Sequence, residues 1–371
     1  MRKHDYMNMA IELARKGAGR VAPNPMVGAV IVKDGEILGR GYHTKYGESH
    51  AEVEALNDCR KNGADPTGAT MYVTLEPCRH FGKTPPCTDA IAQSGLKRVV
   101  IGVIDPNKQV AGKGVVTLRE SGVDVEINFM EDKCRKLNEI YFHNAKRNTP
   151  FVAMKYAITA DGKIATKTGS SKWITSEKTR EYNYRTRCEL TGVMTGVGTV
   201  LADDPFLTSH GFGRDPVVIV CDSALRTPLS SRIMDDAKNR KIIIATLSEN
   251  EGKKRAFLEK GAVIINCAEK KGRVDLADLM VKLRGEGVDS VLLEGGGSLN
   301  YSALAQGIVN KLSVFVGPSL FGGADSLTPV EGAGVNYVSD GFRLKLEKVQ
   351  KIGDDVLIDY ILEEAECLPE L

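Results

Sequence analysis

Apolar residues recur at helical spacing near the start of the chain, at Met7, Ala10, Ile11 and Ala14, which predicts an opening amphipathic helix. The rigid loop Pro23-Asn24-Pro25 then leads into the apolar stretch from Val27 to Val32, which reads as a strand. Asp34-Gly35 is a two-residue hairpin signal, and Ile37 to Tyr42 forms the return strand. Residues 51–62 read as a helix closed by Gly63, Thr70 to Leu75 as a strand, and Pro86 to Gln93 as another helix. A buried strand from Val99 to Val103 ends at the turn Asp105-Pro106-Asn107. A helix near 114–120, a strand at 123–127 and one helix over 131–143 complete this first series.

The polar run Asn144 to Pro150 marks a linker, after which a second alternation begins. Strands are expected at 151–158, 191–196, 216–221, 241–246, 262–266, 288–293 and 311–316, with helical patterns between them. Leu276, Leu279, Met280 and Leu283 give the clearest helix, and Phe342 to Leu362 reads as two strands joined at Gly353-Asp354. The pattern predicts two α/β domains, 1–146 and 147–371, the second mostly parallel with antiparallel strands at its end. A length of 371 residues agrees with two or three domains.

Composition narrows the partners. With 42% hydrophobic and 26% charged residues, the chain has ample material for buried cores. A net charge of +2 exerts no general pull on nucleic acid or anionic membrane, so neither is expected as a partner. No apolar run reaches membrane-spanning length, and the first residues carry no apolar signal-like segment, so a cytoplasmic protein is expected. Of the eight cysteines only Cys78 and Cys87 lie close together; the others read as reduced residues packed like small hydrophobes.

The candidate chemistry gathers at His50-Ala51-Glu52 and at Pro77 to Cys87. His50, Cys78 and Cys87 supply three ligands for a tetrahedral zinc and leave the fourth place to water. Glu52 lies beside the histidine and is free to carry protons, which is the parts list of a zinc deaminase. Both segments fall at predicted helix starts, where the helix dipole favours thiolate over thiol. The competing reading is a structural zinc closed by His80 as fourth ligand, in which Glu52 would have no use. Eight residues separate the two cysteines, where zinc deaminases commonly have two, and the insertion Arg79 to Thr84 forms a basic, glycine-containing loop.

At Thr74 to Cys87, reading TLEPCRHFGKTPPC, the sequence resembles the deaminase part of the bifunctional riboflavin-biosynthesis enzymes, although Arg79 stands where that family usually has Ser. The likeness extends to Pro23 to Ala29, Gly41-Tyr42-His43 and Asp105-Pro106-Asn107. It implies a cytidine-deaminase-like three-layer domain in which Asn24, His43, His80, Lys83, Asp105 and Asn107 line a pocket for a phosphorylated pyrimidine.

Three segments of the second half resemble the reductase domain of the same family: Lys155 to Ile164, Thr195 to Pro205, and Leu293 to Leu299. The last two are strand, glycine turn and helix, a geometry that can offer backbone N–H groups to phosphate. The resemblance implies a dihydrofolate-reductase-like domain using NADPH. Ala157, Asp161, Trp173, Gly196, Gly198, Thr199, Gly295, Gly296, Gly297 and Ser298 would then contact the cofactor. Ser171, Thr175, Arg187, Asp203, Leu207, His210 and Glu294 would surround the substrate, with Lys155 and Asp203 nearest the reacting carbon. Arg180, Tyr184 and Arg187 share one face of a predicted helix, whose bland alternative is a solvated face. His210 stands where the family commonly has Arg, and Arg214 is a candidate to compensate. The expectation is a bifunctional, homo-oligomeric (dimeric or tetrameric) zinc deaminase and NADPH reductase acting on a small phosphorylated pyrimidine. Its rivals are a nucleoside or tRNA deaminase with a non-catalytic second domain, and a zinc-stabilised nucleotide-binding regulator. The sequence offers no recognisable pocket for a 2′-phosphate.

Overall fold

A computed structural model describes residues 1–81, 85–107 and 110–363. The chain divides into two compact units, Met1–Arg147 and Asn148–Leu371. Among the described residues no helix is long and apolar enough to cross a membrane.

The first unit opens with α1 (Lys3–Arg15), the hairpin β1 (Gly28–Lys33) and β2 (Glu36–Tyr42), α2 (Ala51–Lys61) and β3 (Thr70–Val73). It continues with α3 (Cys87–Gln93), β4 (Arg98–Ile101), α4 (Lys113–Glu120), β5 (Asp124–Glu126), α5 (Glu131–Leu137) and α6 (Glu139–Lys146). The five strands lie in the order β2-β1-β3-β4-β5. Pairing is antiparallel on both sides of β1 and parallel beyond β3. Period-two alternation assigns the two faces. Ala29 and Ile31 of β1 enter a core with Ala55, Leu56, Ile91 and Leu118. Val30 and Val32 enter another with Met7, Ala10, Ile11 and Leu137. The result is three layers, helix on sheet on helix.

Two details place the first site. A side chain at Gly41 would lie 2.3 Å from the Ala51 carbonyl, so its absence lets the start of α2 settle on β2. The expected helix over 131–143 is instead two, broken at Asn138 (φ −117°, ψ 31°). The buried Asn138 amide accepts from Met26 N and donates to Met26 O, each at 2.8 Å. Satisfying both backbone groups of that loop outweighs helix continuity.

The second unit begins with β6 (Phe151–Thr159), α7 (Glu177–Glu189), β7 (Gly192–Gly196), α8 (Val197–Asp203), β8 (Val217–Cys221), α9 (Arg232–Asp235) and β9 (Ile242–Thr246). Then follow α10 (Glu251–Glu259), β10 (Val263–Asn266), the short ribbon β11 (Glu269–Lys270) and β12 (Arg273–Val274), and α11 (Leu276–Gly285). The unit closes with β13 (Ser290–Leu293), α12 (Gly297–Ala305), β14 (Lys311–Gly317), β15 (Leu344–Ile352) and β16 (Asp355–Leu362). Its main sheet has the order β10-β9-β8-β7-β13-β6-β14-β16-β15. It is parallel from β10 to β14, and β16 and β15 add antiparallel. After β6 the chain passes outward through β7 to β10 and returns to insert β13 between β7 and β6. Both glycine turns therefore leave the carboxyl ends of adjacent strands, where ligands of open α/β sheets bind.

Candidate active sites

In the first unit, the start of α2, the loop after β3 and the first turn of α3 bring together the candidate metal ligands His50, Cys78 and Cys87. His50 precedes α2, and its Nδ1 lies 3.5 Å from Cys78 Sγ and 3.3 Å from Cys87 Sγ. The three donor atoms fall within 4.8 Å of one another, and among the described residues they form the one such cluster. Tetrahedral zinc with bonds of about 2.0–2.3 Å requires ligand separations of about 3.5 Å, so this donor set fits the ion. His80 is exposed in the cavity wall and lies outside the cluster, against a closed four-ligand site.

The sulfur chemistry points the same way. The Cys87 backbone N–H, in the first turn of α3, points at Cys78 Sγ from 3.4 Å. Hydrogen bonds from the Cys87 thiol and from His50 hold the Cys78 thiol down to about 4. The Cys87 thiol is pushed well above its ordinary value by that hydrogen bond to Cys78 and by burial. The protein alone thus accommodates one thiolate, and a divalent cation would let both ionise. Glu52 is buried at 3% exposure, and burial, with the Cys78 charge beside it, raises its carboxyl to about 7.

These groups open into a cavity of about 520 Å³. Asn24, His43, His80, Asp105 and Asn107 line it, as expected. His43 is buried and held from both ends: Nε2 meets Asn24 Nδ2 at 3.2 Å, and Nδ1 meets the Ser49 carbonyl at 3.1 Å. Burial lowers its pKa and favours the neutral ring. Lys83 lies outside the described residues. Two residues went unassigned in the sequence. Tyr141 donates to the Asp105 carboxylate at 3.0 Å. The buried Glu76 accepts the backbone N–H groups of Asp105, Gly112, Gly114 and Val115 at 2.9–3.2 Å, fixing the loop that carries Asp105. An acid directly after an apolar strand was the available signal for Glu76; nothing local marked Tyr141.

In the second unit, strand register makes the site. Leu293, the last residue of β13, pairs with Met154 on the parallel strand β6, so Glu294 just beyond β13 and Lys155 follow that last pair. Burial lowers the Lys155 pKa, and the nearby Glu294 charge opposes that shift. Glu294 accepts from Arg187 Nε at 2.6 Å and Nη2 at 3.0 Å, and Arg187 Nη1 donates to the Thr208 carbonyl at 2.8 Å. The neighbouring Arg187 guanidinium overcomes burial and holds the Glu294 carboxyl down to about 2.

The helix face of Arg180, Tyr184 and Arg187 is engaged, and the solvated alternative is wrong. Arg180 caps the Trp173 ring at 4.2 Å and donates to the Thr175 carbonyl at 3.0 Å. The Tyr184 ring stacks on His210 at 4.0 Å. His210 is therefore held by an aromatic ring, and Arg214 points to the Leu190 carbonyl at 3.5 Å.

A cavity of about 910 Å³ includes Ser171, Gly196, Gly198, Thr199, Asp203, Glu294 and Gly295 to Ser298 in its wall. Ser171 Oγ lies 3.4 Å from Asp203 Oδ1. A methyl group built on Gly198 or Gly296 would meet nothing within 4 Å, leaving room for a ligand to approach the backbone. Such a group on Gly297 would strike Glu331 at 2.5 Å, so that glycine serves packing. The cavity thus fits a dinucleotide in size and backbone access. Ala157, Asp161 and Trp173 are not in this wall. Asp161 instead accepts the Phe321 and Gly322 N–H groups at 3.2 and 2.7 Å, and Trp173 is exposed. Leu207 is buried at φ +54°, with its carbonyl bound by Arg240.

The chain matches two family models. Residues 1–103 match the cytidine and deoxycytidylate deaminase zinc-binding region, and residues 150–358 match the RibD C-terminal domain. It is 48% identical over 359 residues to riboflavin biosynthesis protein RibD of Actinobacillus pleuropneumoniae, covering 96% of this chain and 95% of that one. Identity to the RibD of Aquifex aeolicus is 41%, covering 95% and 97%. The crystal structure of the diaminohydroxyphosphoribosylaminopyrimidine deaminase/5-amino-6-(5-phosphoribosylamino)uracil reductase of Thermotoga maritima superposes with a TM-score of 0.85 at 37% identity, covering 96% and 98%. A crystal form of RibD from Acinetobacter baumannii gives 0.84 at 33% identity, covering 97% and 98%.

Proposed function

The chain belongs to the RibD family of bifunctional deaminase–reductases of riboflavin biosynthesis, and on that premise we propose how its residues divide the work. The first unit deaminates 2,5-diamino-6-ribosylamino-4(3H)-pyrimidinone 5′-phosphate; the second reduces the ribosyl side chain of the product to ribityl with NADPH. The observation that carries the reading is the three-donor metal cluster with a buried proton carrier beside it.

His50, Cys78 and Cys87 would hold zinc, which when bound would supply a water activated for attack at neutral pH. The Glu52 carboxylate accepts a proton from the attacking water and returns it to the departing amine nitrogen. A carboxyl raised to about 7 is suited to both directions of transfer. His43, held neutral, Asn24 and the Asp105 loop orient the pyrimidine ring.

NADPH, held along the glycine turns, would supply the hydride for the anomeric carbon of the ring-opened ribosyl imine. Lys155 and Asp203 are the polar groups proposed at that carbon. Arg187 positions Glu294, which in turn sets the charge around Lys155. Seven free cysteines among the described residues support a reducing, cytoplasmic setting. Exposed Leu344, Leu346 and Val349 on the edge strand β15 support self-association.

Glu52→Gln in the full chain tests the assignment. Zinc content is expected to stay unchanged while ammonia release falls by at least a hundredfold, with NADPH oxidation on the deaminated substrate intact. Unchanged ammonia release would sink the mechanism.

A further inference from the structure

The wall of the larger cavity includes, besides the two glycine turns, the loop after β8 and the β11–β12 ribbon at its basic, β8-side end. We propose that Arg226 and Arg273 at that end hold the 2′-phosphate of NADPH and so select NADPH over NADH. This rests on the reductase reading above and adds the residues that choose the cofactor.

Both arginines are exposed, and both are in the cavity wall. Neither guanidinium has a hydrogen-bond or ion-pair partner among the described residues. Other arginines of this unit are committed: Arg187 to Glu294, Arg232 to Asp204 and Arg240 to Asp236.

The backbone that presents the pair is well fixed. The buried Asp222 Oδ2 accepts from Thr227 N at 2.7 Å and Thr227 Oγ1 at 2.8 Å, closing the loop that carries Arg226. Lys271 and Gly272 take positive φ in the tight turn between β11 and β12, and Gly272 N–H is bound by Glu269. The N–H of Val274, next to Arg273, donates to Ser223 Oγ at 3.3 Å and ties that ribbon to the loop after β8. Two segments distant in sequence thus hold their guanidinium-bearing residues at one end of one cavity.

Sheet order says which part of the cofactor reaches them. The reacting end is set by Glu294 after β13, which is in the cavity wall and electrostatically close to Lys155 on the adjacent β6. From β6 the order runs through β13 and β7 to β8, three strand spacings or about 14 Å. A dinucleotide with its nicotinamide at Lys155 and its backbone along the open faces of Gly296 and Gly198 brings its adenosine end to β8 and the ribbon. Selectivity between the cofactors follows the charge beside the adenosine ribose: a carboxylate suits a free 2′-hydroxyl, and arginine suits a 2′-phosphate. The wall's carboxylates lie elsewhere: Asp203 meets Ser171, Glu294 meets Arg187, and Glu331 packs against Gly297. Two planar guanidinium forks match a phosphate dianion, while NADH would leave them solvated and gain nothing.

The test uses full-length protein with Arg226→Ala, Arg273→Ala, the double variant and Arg226→Lys. Calorimetric binding of adenosine 2′,5′-bisphosphate is expected to weaken roughly tenfold per arginine and roughly a hundredfold in the double variant. Binding of 5′-AMP should not move, and Arg226→Lys should recover part of the loss. In turnover, KM for NADPH should rise in parallel with kcat held, and KM for NADH should stay constant. The urea-unfolding midpoint followed by Trp173 fluorescence reports intact folding of the second unit throughout. Wild-type binding of the bisphosphate that survives both substitutions, or an equal loss of 5′-AMP, would overturn the proposal alone. Wild-type protein that binds neither the bisphosphate nor NADPH would overturn the reductase reading, and the proposal with it.

Discussion

The Arg187 guanidinium meets the Glu294 carboxylate through two hydrogen bonds, of 2.6 and 3.0 Å, with both side chains almost buried. Removing one partner strands a charge away from water. Arg187→Met is therefore expected to destabilise the second unit by about 3–5 kcal/mol, while Glu294→Gln, which leaves Arg187 its Thr208 contact, should cost less. Trp173, the chain's single tryptophan, sits in this unit, so its fluorescence during urea unfolding measures the difference.

The same pair predicts an acid limb. The Glu294 carboxyl is held at about 2 when folded, below its unfolded value of about 4.3. A depressed carboxyl stabilises the fold above its unfolded pKa, and that contribution disappears as pH falls towards the folded one. About 3 kcal/mol should be lost between roughly pH 5 and pH 2. Glu294→Gln should flatten the slope; an identical slope in that variant would place the acid sensitivity elsewhere.

Zinc uptake should release protons. Before metal binding the Cys87 thiol is held protonated, and the Cys78 thiolate raises the pKa of His50. Both must deprotonate to act as ligands, so roughly one to two protons should leave per zinc at pH 7, and affinity should fall as pH falls. Calorimetry in buffers of different ionisation enthalpy counts them.

Glycine substitutions should separate binding from packing. Gly296→Ala places its methyl group in open space, so the variant should fold normally and bind NADPH more weakly. Gly297→Ala meets Glu331 and the Thr328 carbonyl at 2.5 and 2.7 Å, and should cost about 1–3 kcal/mol of stability. Thermal melts and NADPH titrations of the two variants should differ in opposite ways.

Glu76 should act through the Asp105 loop. Its carboxylate satisfies four backbone N–H groups, so Glu76→Ala is expected to cost about 2–4 kcal/mol and to raise KM for the pyrimidine substrate. Hydrogen exchange over 105–115 gives a readout independent of turnover.

The sequence by itself determined the strands of the two main sheets, most helices and the three side chains that cluster as candidate metal ligands. Period and turn chemistry are local, and His50, Cys78 and Cys87 sit in motifs whose residue types restrict the chemistry. Asn138 shows where local reading stops: its helix is broken by a bond to Met26, over a hundred residues away in sequence. Arg187, Tyr184 and Arg180 read equally well as solvated until folding brought Glu294, His210 and Trp173 to them. Arg226 and Arg273 carried no motif at all; the ribbon pinned at Ser223 brings them to one cavity. Tertiary structure decided these partnerships because charge pairing, burial and ligand reach depend on distance in space, which strand order and register set.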